Sequence, residues 1–420
     1  MFKTTKLSNG LKLIIAPLKG TKTITALMMF RTGSKYESRK QNGLSHFLEH
    51  MFFKGTINRP TAQKISSELD ALGSEYNAFT SKEFTGYWIK VDSSKIISAL
   101  DILSDMLLNS TFSAEEIDRE RGVIMEEANM YHENPMMYLE DVFESCLYGD
   151  TPAGWEIIGP KENIKNLKQA DFVKYFKSQY GVNSATLCLA GDIDEKTKIL
   201  ADKFFSRMKK SVFKDKLKVR EKQAVPVVKI NFKKGNQTNI SLGVRAYANN
   251  HPDKIILKVL SIILGGSMSS RLFSEVRERR GLAYYVRTTA ECFTDSGYLT
   301  TQAGVPSEKI SEVIKVALAE YKKLTSELVP ESELRRTKDL IKGKTIINFE
   351  ASDDVANWYT HQAVMAENIL NPEEYFAKLE KVSANDIRRV AKDIFKNEKL
   401  NLAIIGPFKD DKKFKKIVKF

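Results

Sequence analysis

Residues 43–55 constrain this chain most, because their apolar and polar side chains both repeat with the period of a helix. The apolar side chains fall at the i, i+3, i+4, i+7 and i+8 positions of one helix face: Leu44, Phe47, Leu48, Met51 and Phe52. On the other side, His46, Glu49 and His50 fall within roughly 100° of arc, so two imidazoles and a carboxylate project together. The pattern predicts an amphipathic helix with a buried face and half of a metal site opposite it.

The residue types on the polar side fit a catalytic metal. Two neutral imidazoles one helical turn apart can take two corners of a Zn²⁺ tetrahedron and leave room for a third protein ligand and a water. Glu49 can take the proton of that water, whose pKa the metal lowers to about 7, and return it to a leaving amine. Only five His occur in the 420 residues. Two of them lie within H-x-x-E-H, a known catalytic signature, which favours a metal site over an ordinary solvated helix face.

The length of the chain suits two domains better than one, because 420 residues exceed a single ordinary core. With 42% hydrophobic and 28% charged residues, the composition is that of a soluble globular protein. The N-terminus lacks the apolar segment of a signal peptide, and no apolar run approaches the roughly 18 residues of a membrane span. We therefore expect a cytoplasmic protein without membrane contact.

The charge and the cysteines point to no further chemistry. The net charge of +13 could indicate a nucleic-acid partner, but the Lys are scattered, with no long basic block before residues 409–416. We interpret this charge as solvated surface and expect no nucleic acid. Cys146, Cys188 and Cys292 are odd in number and widely spaced, which favours reduced core thiols over a disulfide framework.

A later helix, opened by a capping-box spacing from Ser113 to Glu116, offers the missing metal ligand. Glu120 and Glu127 share its apolar face and lie about two turns apart. A carboxylate on an apolar face is costly unless it is paired or bound to metal. One of the two is therefore predicted as the third ligand, and the other as a group that orients a histidine. The local pattern does not rank them.

The second half of the chain repeats the first. Its strands and helices follow in a similar order, and residues 329–334 give the clearest match to residues 112–117. That register sets Lys344 opposite Glu127, and no H-x-x-E-H occurs in this half. Duplication with one site lost predicts an α+β chain of two homologous domains, of which the second binds or encloses substrate. The expected boundaries give a metal-binding domain at 1–210, a basic linker at 211–226 and a metal-less domain at 227–420.

Residues 46–56 resemble the metal motif of the pitrilysin-type zinc peptidases, also called inverzincins or insulinase-like peptidases. Insulin-degrading enzyme and mitochondrial processing peptidase belong to this family. Its downstream E-R-x-V-I-x-x-E segment is similar to residues 120–127. The resemblance implies one Zn²⁺ per chain, with His46 and His50 as ligands and Glu127 as the third.

For the rest of the centre, the resemblance implies Glu49 as the catalytic base and Glu120 as the supporting acid. It covers nearly the whole chain and also bears on the fold. It implies two homologous α/β-sandwich domains, each a mostly antiparallel sheet with helices packed on one face.

Two further matches concern the substrate. Asn77 and Ala78 lie in the first strand of a predicted hairpin, at the place of the family's edge strand, whose backbone pairs with an extended peptide. Arg277 and Tyr284 match an Arg/Tyr pair that, in relatives, reaches the substrate carbonyl from the metal-less half. The resemblance implies that they stabilise a developing oxyanion. Without it, a surface Arg and a strand Tyr would be an equally good interpretation.

The function expected from these features is that of a zinc-dependent endopeptidase or oligopeptidase acting on extended peptides. At 420 residues the chain resembles the half-length members of the family, which pair to enclose a chamber. This implies a homodimer, or a heterodimer with a metal-less paralogue. The alternative is a non-enzymatic structural or chaperone-like subunit, but such members typically lose part of the metal motif, and this chain retains all of it.

Overall fold

The computed structural model describes residues 2–366 and 368–420, with the side chains of residues 195 and 196 excepted. The strands in this part of the chain are β1 (Lys3–Lys6), β2 (Lys12–Pro17), β3 (Thr23–Phe30), β4 (Glu75–Thr80), β5 (Thr85–Asp92), β6 (Ala185–Gly191), β7 (Val227–Phe232), β8 (Gln237–Arg245), β9 (Tyr285–Cys292), β10 (Gly297–Pro306) and β11 (Leu400–Gly406).

Helices account for most of the remaining described chain. The α-helices are α1 (Leu44–Met51), α2 (Ala62–Ala71), α3 (Ile96–Asn109), α4 (Ala114–Glu133), α5 (Pro135–Tyr148), α6 (Lys161–Asn166), α7 (Gln169–Gln179), α8 (Glu195–Phe205), α9 (Lys254–Gly265), α10 (Ile310–Ser326), α11 (Glu331–Asn348), α12 (Ser352–Met365), α13 (Pro372–Glu380), α14 (Ala384–Ile394) and α15 (Lys412–Ile417). None of the helices in the described residues combines the length and apolar character that crossing a bilayer requires.

The chain forms two compact units, each built around one sheet. Unit 1 holds a six-stranded sheet in the order β1-β2-β6-β3-β5-β4, in which β2 and β6 run parallel and the other pairs antiparallel. Unit 2 holds a five-stranded sheet in the order β7-β11-β8-β10-β9, in which β7 and β11 run parallel. Apart from the additional strand β1, the two sheets have the same strand order. If β2–β6 and β7–β11 are each numbered one to five along the chain, the order across both sheets is 1-5-2-4-3. This identical topology confirms the predicted pair of homologous, mostly antiparallel domains.

Both units contain segments from each half of the sequence. Unit 1 comprises Met1–Ala128, Glu156–Leu217 and Thr345–Asn371, and unit 2 comprises Asn129–Trp155, Lys218–Lys344 and Pro372–Phe420. The passage from unit 1 to unit 2 after residue 217 lies inside the predicted linker at 211–226. The other passages have no sequence signal, because the apolar stripe of a helix does not specify which sheet it covers.

In unit 1, helices cover both faces of the sheet. Successive strand residues face opposite sides, and the neighbouring residues Tyr87 and Trp88 show this directly. Phe52, just after α1, packs edge-to-face on Tyr87 with ring centroids 4.9 Å apart. Trp88 packs instead into the cluster formed with Val355 and Tyr359 of α12. The layer that contains α1 was expected, and α12 adds a second layer contributed by the C-terminal half of the sequence.

Candidate metal centre

Helix α1 forms where the sequence predicts it, and its apolar stripe is buried. Leu44, Phe47 and Leu48 are fully buried, and the helix ends at Met51. Burying one such side chain stabilises the fold by about 1.5–3 kcal/mol. The helix is therefore held firmly by one face, and its histidine-bearing face stays partly open to solvent.

His46, His50 and Glu127 converge on one point. Glu127 comes from α4, and its Oε1 lies 3.7 Å from His46 Nε2 while its Oε2 lies 3.5 Å from His50 Nε2. The three potential ligand atoms all lie within 4.8 Å of one another, and in the described part of the chain no other group of three such residues meets this condition. The His46 imidazole beside it lowers the pKa of Glu127 below its ordinary range, although burial opposes the shift.

These three side chains fit a zinc ion. Donor atoms about 2.1 Å from a tetrahedral zinc lie roughly 3.4 Å from one another. The two imidazole–carboxylate separations, each to a different oxygen of Glu127, are close to that value. Two imidazole nitrogens and one carboxylate oxygen are also the ligand set of an open catalytic site, which keeps one position for water or substrate.

Glu120 contacts the ring nitrogen of His50 that faces away from Glu127. Its Oε1 accepts a hydrogen bond from His50 Nδ1 at 2.8 Å, which leaves the Nε2 lone pair directed at the metal position. Its Oε2 lies 2.5 Å from Lys54 Nζ. Burial raises the pKa of Glu120, but the bonds to His50 and Lys54 outweigh burial and hold it below its ordinary range. Glu127 thus lies near Nε2 of both histidines, whereas Glu120 contacts Nδ1 of His50. The role of Glu127 as third ligand stays a prediction.

Glu49 lies between the two histidines on α1, half-buried, and its carboxylate has a defined partner. The hydroxyl of Thr80, the last residue of β4, donates a short hydrogen bond to Glu49 Oε2. Helix α1 packs beside β4. Glu49, the predicted base, is therefore hydrogen-bonded to the last residue of β4, the strand predicted to pair with the substrate.

Asn77 and Ala78 lie in β4, which is an edge strand of the unit 1 sheet, as the family resemblance implies. Among the residues that the structure describes, β4 pairs only with β5, so its other side is a free edge. The N–H of Ala78 donates to Oδ1 of the preceding Asn77 side chain at 2.9 Å. A free backbone edge of this kind is the platform that an added peptide strand requires.

Arg277 and Tyr284 lie in unit 2. Arg277 belongs to a π-helical segment, Phe273–Glu278, and its guanidinium lies over the Phe273 ring, 5.0 Å from the centroid. Tyr284 precedes β9, and its side chain is highly exposed, with 78% of the residue accessible. Their contact with substrate stays a prediction.

Three residues next to this centre or to its helix were not predicted from the sequence: Lys54 contacts Glu120, Thr80 contacts Glu49, and Glu37 contacts the first turn of α1. Lys54 follows His50 by four residues, so helical periodicity could have placed it near the same face. Thr80 stands at the end of a predicted strand, and nothing local connects it with Glu49. Glu37 contacts the start of α1 from outside the helix, and the only hint was that a glycine precedes the helix.

Comparisons with known proteins cover nearly all of the chain and agree on one family. The model of the insulinase family (peptidase family M16) matches residues 13–161, and that of the peptidase M16 inactive domain matches residues 166–341. An uncharacterized zinc protease of Streptomyces coelicolor is 30% identical over 97% of this chain and 90% of its own length. One from Bacillus subtilis is 31% identical over 97% and 98%. The crystal structure of a protease from Helicobacter pylori superposes with a TM-score of 0.91 at 25% identity, covering 97% and 99% of the two chains.

Proposed function

Because the chain belongs to the insulinase family of peptidases, family M16, we propose that it is a zinc-dependent endopeptidase or oligopeptidase that hydrolyses extended peptides. The observation that carries this proposal is the convergence of His46, His50 and Glu127 on one point, with Glu49 on the same helix turn as His50. The similarity to zinc proteases supports a zinc peptidase in general. The roles of individual residues belong to the finer proposal.

His46, His50 and Glu127 would hold the zinc ion, and Glu120 would keep His50 in the tautomer that binds it. When bound, zinc supplies a Lewis acid that polarises a carbonyl and makes a water molecule more acidic. Glu49 acts as the base that accepts the proton of the attacking water and passes it to the leaving amine. Thr80 holds one oxygen of that carboxylate, so the other oxygen is free to take the proton.

The peptide pairs with the free edge of β4 through backbone hydrogen bonds, next to α1. Asn77 and Ala78 lie at the middle of this edge, and the Ala78 N–H exchanges its bond to the Asn77 side chain for one to the peptide. Recognition through the backbone reads little sequence, which suits a broad peptide substrate. Arg277 and Tyr284 contribute a cation and a phenol that stabilise the oxyanion.

The same proposal includes assembly and place of action. We propose a homodimer that encloses a chamber, with a heterodimer containing a metal-less paralogue as the alternative. The chain acts in the cytoplasm in peptide degradation. The metal-less second domain encloses the substrate rather than binding a second zinc.

Cleavage of a peptide library by the zinc-loaded protein tests this function, with and without a chelator and with the mass in solution measured alongside. We expect cleavage that the chelator abolishes and that added zinc restores. The matched control is Glu126→Gln, which removes the exposed carboxylate beside Glu127 on the same helix and should cleave like the wild type. Bound zinc without any cleavage would contradict the proposal and favour a non-enzymatic subunit.

A further inference from the structure

The start of α1 needs an external cap. The first four N–H groups of any helix have no partner within the helix. The residue before α1 is Gly43, which adopts φ 103° and has no side chain with which to cap. The usual solution, a Ser, Thr, Asp or Asn at this position, is therefore absent. A partner must come from elsewhere in the fold.

The carboxylate of Glu37 supplies that partner. Its Oε1 accepts the Ser45 N–H at 2.5 Å, and its Oε2 accepts the Gly43 N–H at 2.9 Å and the Asn42 side-chain amide at 3.1 Å. The residue is 4% exposed, so these bonds are shielded from water. A negative charge at a helix N-terminus is also favoured by the helix dipole.

The two metal-binding histidines differ in how they are held. Nδ1 of His50 is fixed by Glu120. Nδ1 of His46 is buried and has no hydrogen-bond partner within the described residues. His46 directly follows Ser45, so its position depends on the first turn of α1, the turn that Glu37 holds.

We propose that Glu37 is a positioning residue for the metal centre, which fixes the first helical turn of α1 and thereby His46. This rests on the proposed zinc site. Glu37 fixes the position of His46 by holding the backbone of the first helical turn. Glu120 fixes the position of His50 by accepting a hydrogen bond from its ring. The hydroxyl of Ser45 also contacts the Tyr175 hydroxyl at 2.7 Å, so the turn is held from two sides.

The role requires a carboxylate and not merely a polar side chain. Two backbone N–H groups and one amide all donate to Glu37, so an acceptor is needed at both oxygens. In Glu37→Gln an NH₂ group would replace one of the two carboxylate oxygens. That NH₂ group would face an N–H donor in a buried position, and neither group would have an acceptor there. Burial raises the pKa of Glu37 to about 7, and the bonds from Ser45, Asn42 and Gly43 oppose that rise.

The test compares Glu37→Gln and Glu37→Asp with the wild type. Zinc affinity is measured by competition with a chromophoric chelator, and the ligand geometry by the visible spectrum after Co²⁺ substitution. Glu37→Gln should bind zinc about tenfold more weakly, as loss of supporting contacts around metal ligands does, with an altered Co²⁺ spectrum. Glu37→Asp should recover part of the affinity. The matched control is Ser383→Ala, which removes the N-cap of α14 in unit 2, lowers the urea midpoint and leaves zinc affinity unchanged.

The outcomes distinguish this inference from the proposed function. If the wild type binds zinc and Glu37→Gln binds it equally well with the same Co²⁺ spectrum, the inference alone is overturned. If the wild type binds no zinc, both fail. Should Glu37→Gln not fold, hydrogen exchange of the wild type decides: slow exchange of the Ser45 amide supports the inference, and exchange at the rate of an open chain refutes it.

Discussion

Replacing Glu120 by Gln tests the supporting contact behind His50. The carboxylate accepts from His50 Nδ1 at 2.8 Å and lies 2.5 Å from Lys54 Nζ, and its side chain is only 6% exposed. The amide oxygen of Gln can still accept from Nδ1. Its NH₂ group, however, would then face the Lys54 ammonium, so one donor opposes another in a nearly buried position.

The size of the effect follows from these contacts. Losing a group that orients a metal-binding histidine weakens metal affinity by about 10- to 100-fold, or about 1.4–2.7 kcal/mol. Glu120→Gln should fall near the lower end, at about tenfold, because one hydrogen bond to His50 survives and Lys54, 25% exposed, can turn toward water.

The assay is chelator competition at fixed pH, with Glu126→Gln as the control from the same helix. Unchanged zinc affinity in Glu120→Gln would refute the assignment, because it would mean that the Glu120–His50 bond has no part in holding the metal. A loss of the same size in Glu126→Gln would also refute it, since that would reflect helix charge and not the contact.

Two further predictions concern the base and the pH dependence of stability. Thr80→Val should lower kcat about tenfold, because the Glu49 carboxylate loses the hydrogen bond that orients it. Zinc affinity should stay unchanged, and Thr80→Ser should restore kcat. Steady-state kinetics on a fluorogenic peptide measure this, and a normal kcat in Thr80→Val counts against it. Burial, with the nearby carboxylates of Glu140 and Glu144, raises the pKa of Glu291 to about 7. The folded state therefore binds more protons than the unfolded state between about pH 5 and 7. The stability that protonated Glu291 contributes at low pH is lost as the pH rises to 8. From pH 5 to 8 the wild type should lose about 2 kcal/mol more unfolding free energy than Glu291→Gln. Urea titrations at each pH measure this free energy, and an equal decrease in the two proteins would contradict the prediction.

Much of the fold could be predicted because its signals are local. The hairpin predicted at 75–80 and 84–91 forms as β4 and β5, since alternating β-rich runs need only their own neighbours. The repeat of the first half in the second appears again as one strand order used twice. The packing of α12 on the unit 1 sheet could not be predicted, because a helix in the second half gives no sign of the sheet it covers.

Part of the candidate site could likewise be predicted from the sequence, and part could not. His46, Glu49 and His50 share one helix turn, so periodicity alone groups them. Choosing between Glu120 and Glu127 required the resemblance or the geometry, since both carboxylates occupy the same face of α4. Contacts that join separate elements, such as Thr80 with Glu49, depend on how strands and helices pack and leave no periodic trace.

The most direct test of a zinc centre with Glu49 as its base is Glu49→Gln, with zinc content and peptide cleavage measured on the same purified sample. We expect one zinc per chain, as in the wild type, because Glu49 is not among the three proposed ligands. We also expect cleavage reduced by about 10²- to 10⁴-fold, the usual contribution of a general base. Undiminished cleavage would contradict the role of Glu49, and a wild-type protein that holds no zinc would contradict the metal centre itself.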